Sequence, residues 1–269
     1  MNTVSTPHPG IDYNIVLVSG LLLWFSGRKY NRMLDFQRDY WETRLRFPDW
    51  YSRLEDELTS LFFPVVHDDP RLKAFRNQVY ALIAELLACK ELPLAAAGPD
   101  LDTARQPVDT VVIHHTEEDA AISLDRLSAI GLVRQYAFQY LADNVLGHRV
   151  RGQPIWSNHF REGQMVFFAY HWLIRSDGTA ERLLEDSYIG WHAGDWQINT
   201  RSVGIALSGT YEAAIPPLPQ IESAARVIHS YYPHVSRNSI VGHREVRKDL
   251  TCPGAYFLET WKDVLVNSV

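Results

Sequence analysis

Cysteine is nearly absent from this chain: Cys89 and Cys252 are the whole complement. Two thiols exclude a disulfide framework and a structural zinc site of four thiolates, and both are expected to be reduced. A surplus of basic charge is also missing. A formal net charge of −6 with no basic stripe excludes a nucleic-acid partner. No apolar run suits a membrane span: Ile15 to Phe25 covers about eleven residues, against the roughly 20 needed to cross about 30 Å of hydrocarbon. That run also lacks the marks of a signal peptide. Asp12 rather than Lys or Arg precedes it, and no small-x-small cleavage site follows before Arg28 and Lys29. It is expected to be a buried strand or helix, with an uncleaved membrane-associated segment as the alternative and no stable membrane insertion.

What the chain does hold is apolar material for a sizeable core. Hydrophobic residues make up 46% of 269 positions, enough for one main domain with a smaller appendage. Residues 1–100 are expected to form a helical segment. Trp50, Leu54, Leu58, Leu61 and Phe62, then Leu72, Phe75, Val79, Leu82, Ile83, Leu86 and Leu87, recur at helical spacing. Asp68 and Asp69 before Pro70 mark a helix start, Cys89 falls in the apolar pattern as a core residue, and His67 falls in a loop. Small residues and prolines from Leu94 to Pro107 mark a linker.

Residues 101–269 alternate strand and helix signals, the mark of an α/β or α+β domain. Thr110 to His114 reads as a β-branched strand and Leu124 to Leu146 as a helix. Met165 to Ile174 reads as a strand turning at Asp177-Gly178, Ser202 to Leu207 as a buried strand, and Gln220 to Tyr232 as a helix. Ser239 to Val241 is expected to be a short strand and Ala255 to Val264 a closing helix.

Chemistry concentrates near the end. Gly242-His243-Arg244 and Thr251-Cys252-Pro253-Gly254 set an imidazole and a thiol nine positions apart on a turn-rich stretch. A zinc ion with one more ligand would close such a pair. Val111-Val112-Ile113-His114-His115-Thr116 offers it, because an apolar run there ends abruptly in two histidines. Any one of these residues alone is more often an ordinary hydrogen-bonded side chain. Three ligands on separate segments leave a fourth position for water, which is a catalytic arrangement.

Those blocks, together with Tyr170-His171-Trp172-Leu173-Ile174, Asp177-Gly178-Thr179, Trp191-His192-Ala193-Gly194 and Ser202-Val203-Gly204-Ile205-Ala206-Leu207, stand in an order that resembles the type 2 N-acetylmuramoyl-L-alanine amidases. That family includes the peptidoglycan recognition proteins. The resemblance covers about residues 108–265. It implies a mixed α/β fold with a central mixed sheet flanked by helices, and a zinc-dependent hydrolase that cuts the amide between the lactyl group of N-acetylmuramic acid and L-alanine in peptidoglycan or muropeptides. It assigns His114, His243 and Cys252 as zinc ligands and Tyr170 as the catalytic phenol. His192 becomes a cleft residue facing substrate, and His115 a supporting or substrate-side residue. Two departures stand out. Leu250 occupies the position where the family usually has Lys or Thr, which leaves Thr251 or Lys248 to serve the oxyanion, and a long segment separates His114 from Tyr170 and could wall the cleft. Family members without the cysteine bind peptidoglycan without cutting it, so a recognition module is the alternative reading. The expected location is cytoplasmic, or outside the cell after lysis or non-classical release.

Overall fold

Six consecutive residues of the first strand, β1 (Thr110–His115), are buried, the pattern of a strand covered on both faces. In the computed structural model, which describes residues 36–62, 69–141 and 152–268, six more strands follow. They are β2 (Phe160–Arg161), β3 (Gln164–Met165), β4 (Trp172–Ile174), β5 (Ala180–Arg182), β6 (Ser202–Leu207) and β7 (Ile240–Gly242). β2 and β3 form a small antiparallel hairpin. The other five build one sheet in the order β5-β4-β6-β1-β7. β1 pairs in parallel with β6 and β7, β6 in parallel with β4, and only β4–β5 is antiparallel. The domain is therefore mixed α/β, with a central mixed sheet flanked by helices.

The helices are α1 (Arg38–Leu45), α2 (Trp50–Arg53), α3 (Glu55–Phe62), α4 (Pro70–Ala88), α5 (Leu124–Gln135), α6 (Trp196–Asn199), α7 (Leu218–Tyr231), α8 (His243–Val246) and α9 (Lys262–Asn267). Side chains alternate across a strand, and β1 and β6 use that alternation to separate two jobs. Val111, Ile113, Val203, Ile205 and Leu207 face α7 and the C-terminal turns, packing with Ile221, Ala224, Ile228, Phe257, Trp261 and Leu265. Each such aliphatic side chain contributes about 1.5–3 kcal/mol by leaving water. The alternate positions, Val112, His114, Gly204 and Ala206, occupy the other face.

Helix α4 starts as its sequence indicates, with the Asp69 carboxylate accepting the Arg71 N–H and Pro70 in the first turn. It is tied to α5 by Arg126, which donates to the Asn77 carbonyl at 2.7 Å and its side-chain oxygen at 2.9 Å. Tyr136 donates to the Tyr51 carbonyl at 2.7 Å and so fastens α2 to the end of α5. Residues Gln37–Val269 make one compact unit.

Several sequence expectations need correction. Cys89 is exposed, because α4 ends at Ala88 and carries the cysteine past its buried stripe. The expected strand from Met165 to Ile174 is two short strands separated by irregular backbone that runs through Tyr170 and His171. The closing helix is shifted and begins as a wide π-type turn at Phe257–Trp261. The linker contains a 3₁₀ turn at Asp102–Ala104, and Gly98 within it lies so close to Trp156 that a Cβ would sit 2.4 Å from the ring. The Ile15–Phe25 run, Asp68 and His67 lie outside the described residues. Among the described residues no helix is long and apolar enough to cross a membrane.

Candidate metal centre

Parallel pairing brings the C-terminal ends of β1 and β7 side by side, so His114 near the end of β1 and His243 just after β7 meet. Their ring centroids are 4.6 Å apart. Cys252 returns to the same place, with its Sγ 3.8 Å from His114 Nδ1. The loop between His243 and Cys252 is clamped shut: the Arg244 N–H donates to the Cys252 carbonyl at 2.7 Å, and the Arg244 guanidinium to the Gly254 carbonyl at 3.2 Å. Gly254 makes this closure possible. Its φ is +123, and a Cβ there would lie 2.0 Å from the Tyr211 carbonyl oxygen, so a side chain would be excluded on both counts.

Donor atoms of His114, His243 and Cys252 all fall within 4.8 Å of one another. Their outward atoms are pinned. His243 Nε2 donates to the Ala193 carbonyl at 3.1 Å, which leaves Nδ1 with its lone pair. His114 Nε2 meets His192 Nδ1 at 3.0 Å, and His192 Nε2 meets the Ser202 hydroxyl at 3.2 Å. Such outer partners orient histidine ligands in metal sites. Gly204 makes room for this relay, since a Cβ there would lie 2.7 Å from His192 Cγ.

Burial dominates the electrostatics. It holds His114 well below the ordinary imidazole pKa, reinforced by His243 and His192, and holds His192 well below it too. His243 is lowered to about 4 by burial, against the pull of the Ala193 carbonyl. All three rings are neutral at pH 7 and can present lone pairs. Burial pushes the Cys252 thiol up to about 12, opposed by the backbone N–H of His115.

A second group, His115, Glu117 and Glu212, also brings its donors within 4.8 Å. It is a poor metal site. His115 Nδ1 accepts the Tyr211 N–H at 2.9 Å, so its Nε2 carries the ring hydrogen and faces Glu212 at 3.2 Å and Glu117 at 3.6 Å. No lone pair remains. Strand alternation explains why His114 joins the first group and His115 does not.

Around the first group lies a cavity of about 270 Å³, lined in part by Arg134, Tyr170, His192, Arg247, Leu250 and Thr251. Tyr170 is buried, its ring centroid 5.0 Å from that of His114. Arg134 of α5 donates to the Tyr170 hydroxyl at 3.4 Å. His192 is buried too, and it both lines the cavity and meets His114 Nε2 through Nδ1. Thr251 reaches the cavity, but its hydroxyl donates to Glu212 at 2.7 Å. Lys248 does not line it. The cation that does so from that loop is Arg247, which pairs with Asp249 at 2.9 and 2.6 Å. Arg134, by contrast, makes no ion pair with a carboxylate among the described residues. Nothing in the sequence marks Arg134, which sits within an ordinary helix with no motif around it.

Several known proteins are similar to this chain. The chain is 33% identical over 168 residues to a peptidoglycan-recognition protein of Drosophila melanogaster, covering 61% of this chain and 79% of that protein. Among solved structures it is similar to N-acetylmuramoyl-L-alanine amidase LysC from Clostridium intestinale URNW, at 22% identity and a TM-score of 0.43, over 64% of this chain and 91% of that one. It is also similar to the Drosophila peptidoglycan recognition protein SD, at 20% identity and a TM-score of 0.39, over 62% and 89%. The family model described as N-acetylmuramoyl-L-alanine amidase matches residues 104–255, a stretch that holds every donor of the His114, His243 and Cys252 group, and the chain belongs to that family.

Proposed function

We propose that residues 101–269 form a zinc-dependent amidase domain that hydrolyses the amide between the lactyl group of N-acetylmuramic acid and L-alanine in peptidoglycan or muropeptides. The observation that carries this reading is the convergence of two neutral imidazoles and a thiol within 4.8 Å, with the outer nitrogens of both imidazoles already engaged. Two nitrogens and one sulfur suit zinc and leave a position open. His114 and His243 would hold the ion through Nδ1 and Cys252 through its thiolate, with the His115 N–H stabilising the sulfur's charge. When bound, zinc supplies a Lewis acid that polarises the scissile carbonyl and activates water at neutral pH.

The chain's own residues do the rest. Tyr170 is held protonated at pH 7, because burial raises its pKa above the ordinary phenol value against the opposing pull of Arg134. Its oxygen accepts from Arg134, so its O–H is free to donate to the oxygen that gathers charge as the carbonyl is attacked. Leu250 can offer neither charge nor hydrogen bond, and Thr251 is committed to Glu212. Arg134 is thus the cation we assign to this end of the cleft. His192 and Ser202 keep the His114 ring oriented.

The test is zinc-supplemented incubation with purified muropeptide. Release of stem peptide is expected, together with its loss on adding a chelator and in Cys252→Ala. Tight binding with no release would instead favour a recognition module, the role that the name of the Drosophila melanogaster relative suggests.

A further inference from the structure

Tyr211 and Glu212, in the irregular stretch between β6 and α7, touch both sides of the metal centre one residue away from its ligands. On the strand side they meet both ring nitrogens of His115, the neighbour of His114. The Tyr211 N–H donates to Nδ1 at 2.9 Å, and Glu212 Oε1 lies 3.2 Å from Nε2. On the loop side the same Oε1 accepts the hydroxyl of Thr251, the neighbour of Cys252, at 2.7 Å, and the Glu212 carbonyl accepts the Ala255 N–H at 3.1 Å. A chain from Thr251 through Glu212 to His115 therefore runs alongside the gap of 3.8 Å between Cys252 Sγ and His114 Nδ1. The Arg244 contacts tie the loop to the segment that starts at His243, whereas this chain ties it to the strand that carries His114. The His115 ring is fully buried and so gives the carboxylate a fixed anchor. The Glu212 charge itself works against a thiolate at Cys252, since like charges repel at short range. What Glu212 gives the centre is thus the position of one oxygen.

We propose that Glu212 is a positioning residue of the metal centre, which sets the place of Cys252 relative to His114 by joining Thr251 to His115. It rests on the zinc reading above. Ligands already held by outer hydrogen bonds bind a metal more tightly, because less of the site has to be ordered when the ion arrives.

The test measures metal binding and thiol accessibility in the full-length protein, in Glu212→Gln, Glu212→Leu and Thr251→Val, and in the double variant Glu212→Leu/Thr251→Val. Glutamine keeps an oxygen at the place of Oε1, whereas leucine and valine fill similar space without one. Zinc affinity, measured by competition with a chromophoric chelator, should fall about tenfold in Glu212→Leu, as it does on losing an outer partner. In Glu212→Gln it should stay within about threefold, since the hydrogen bond from Thr251 is kept. Thr251→Val should weaken binding too, and the double variant should bind no more weakly than Glu212→Leu. With cobalt in place of zinc, the thiolate-to-metal charge-transfer absorption should weaken or shift in Glu212→Leu and be retained in Glu212→Gln. In metal-free protein the Cys252 peptide, resolved from that of Cys89 by mass spectrometry, should be alkylated at least about threefold faster in Glu212→Leu, because its loop opens more often. Unchanged zinc affinity and cobalt spectrum in Glu212→Leu, or equal losses in the Gln and Leu variants, would overturn the proposal. None of these readouts needs hydrolysis, so a protein that binds zinc in this way yet cuts no muropeptide would refute the amidase reading alone. Should the unmodified protein bind neither metal, the zinc reading fails by itself. The alkylation rates then decide whether Glu212 holds Cys252, with equal rates counting against it.

Discussion

At the scale of single residues, the pair Arg134 and Tyr170 separates this chain from the pattern that its motifs imply. The motif position that would carry Lys or Thr is Leu250, and the structure puts a guanidinium on the phenol from a different element. Tyr170→Phe removes the hydrogen-bond donor and should lower kcat by roughly 10²–10³-fold, as losing one oxyanion donor does. Arg134→Met should cost about 10–100-fold, the worth of a charge-assisted hydrogen bond. If Arg134 acts through Tyr170, the two losses will not add in the double variant. Steady-state kinetics on zinc-loaded protein checks this, and additive losses would mean that Arg134 works independently. The meeting of His114, His243 and Cys252 was legible because each is a chemistry-bearing side chain at the edge of an apolar run or a turn, whereas Tyr170 stood out only through the resemblance to the family. Arg134 was not legible, since helical periodicity says which face an arginine lies on but not which residue it meets 36 positions later.

At the scale of elements, the site depends on two strands whose alternation is strict. β1 sends His114 to one face while β6 keeps that face small with Gly204 and Ala206, so the His114 and His192 rings have space. Gly204→Ala puts a Cβ 2.7 Å from His192 Cγ and must displace that ring. His192 orients His114, and losing such an outer partner typically costs 10–100-fold in metal affinity. We therefore expect zinc affinity, measured by competition with a chromophoric chelator, to fall by about tenfold or more while the far-ultraviolet circular dichroism stays unchanged. The buried strands β1 and β6 were readable from their continuous apolar sequence. The start of β4 was not, because three residues leave too little periodicity to separate strand from the irregular backbone before it. The hydrogen bond from His192 to the Ser202 hydroxyl behind it was not legible, because the two come together only in the folded sheet.

At the scale of the whole molecule, packing of neutral imidazoles into the interior ties stability to pH. His171 is fully buried, with Nδ1 accepting the Gly204 N–H at 3.1 Å and Nε2 donating to the Tyr188 carbonyl at 3.0 Å. Burial lowers its pKa to about 3, from 6.5 for the free side chain. A depressed folded value means that the unfolded chain takes up the proton first as pH falls. The stabilising effect is thus complete above 6.5 and declines towards about 3, below which both states are protonated. Urea unfolding of metal-free protein should accordingly show a falling midpoint from about pH 7 to about pH 5, above the range where most carboxylates titrate. A flat midpoint across that interval would mean that His171 is not held neutral.

The central claim is hydrolysis at one particular amide by the site that His114, His243 and Cys252 form. Its most direct measurement is mass spectrometry of the products when zinc-loaded protein acts on a defined muropeptide in heavy-oxygen water. The expected products are a stem peptide with a free L-alanine amine and no label, and a muramyl product carrying one heavy oxygen in its lactyl carboxylate. Intact muropeptide after full binding, or label in any other bond's product, would contradict it.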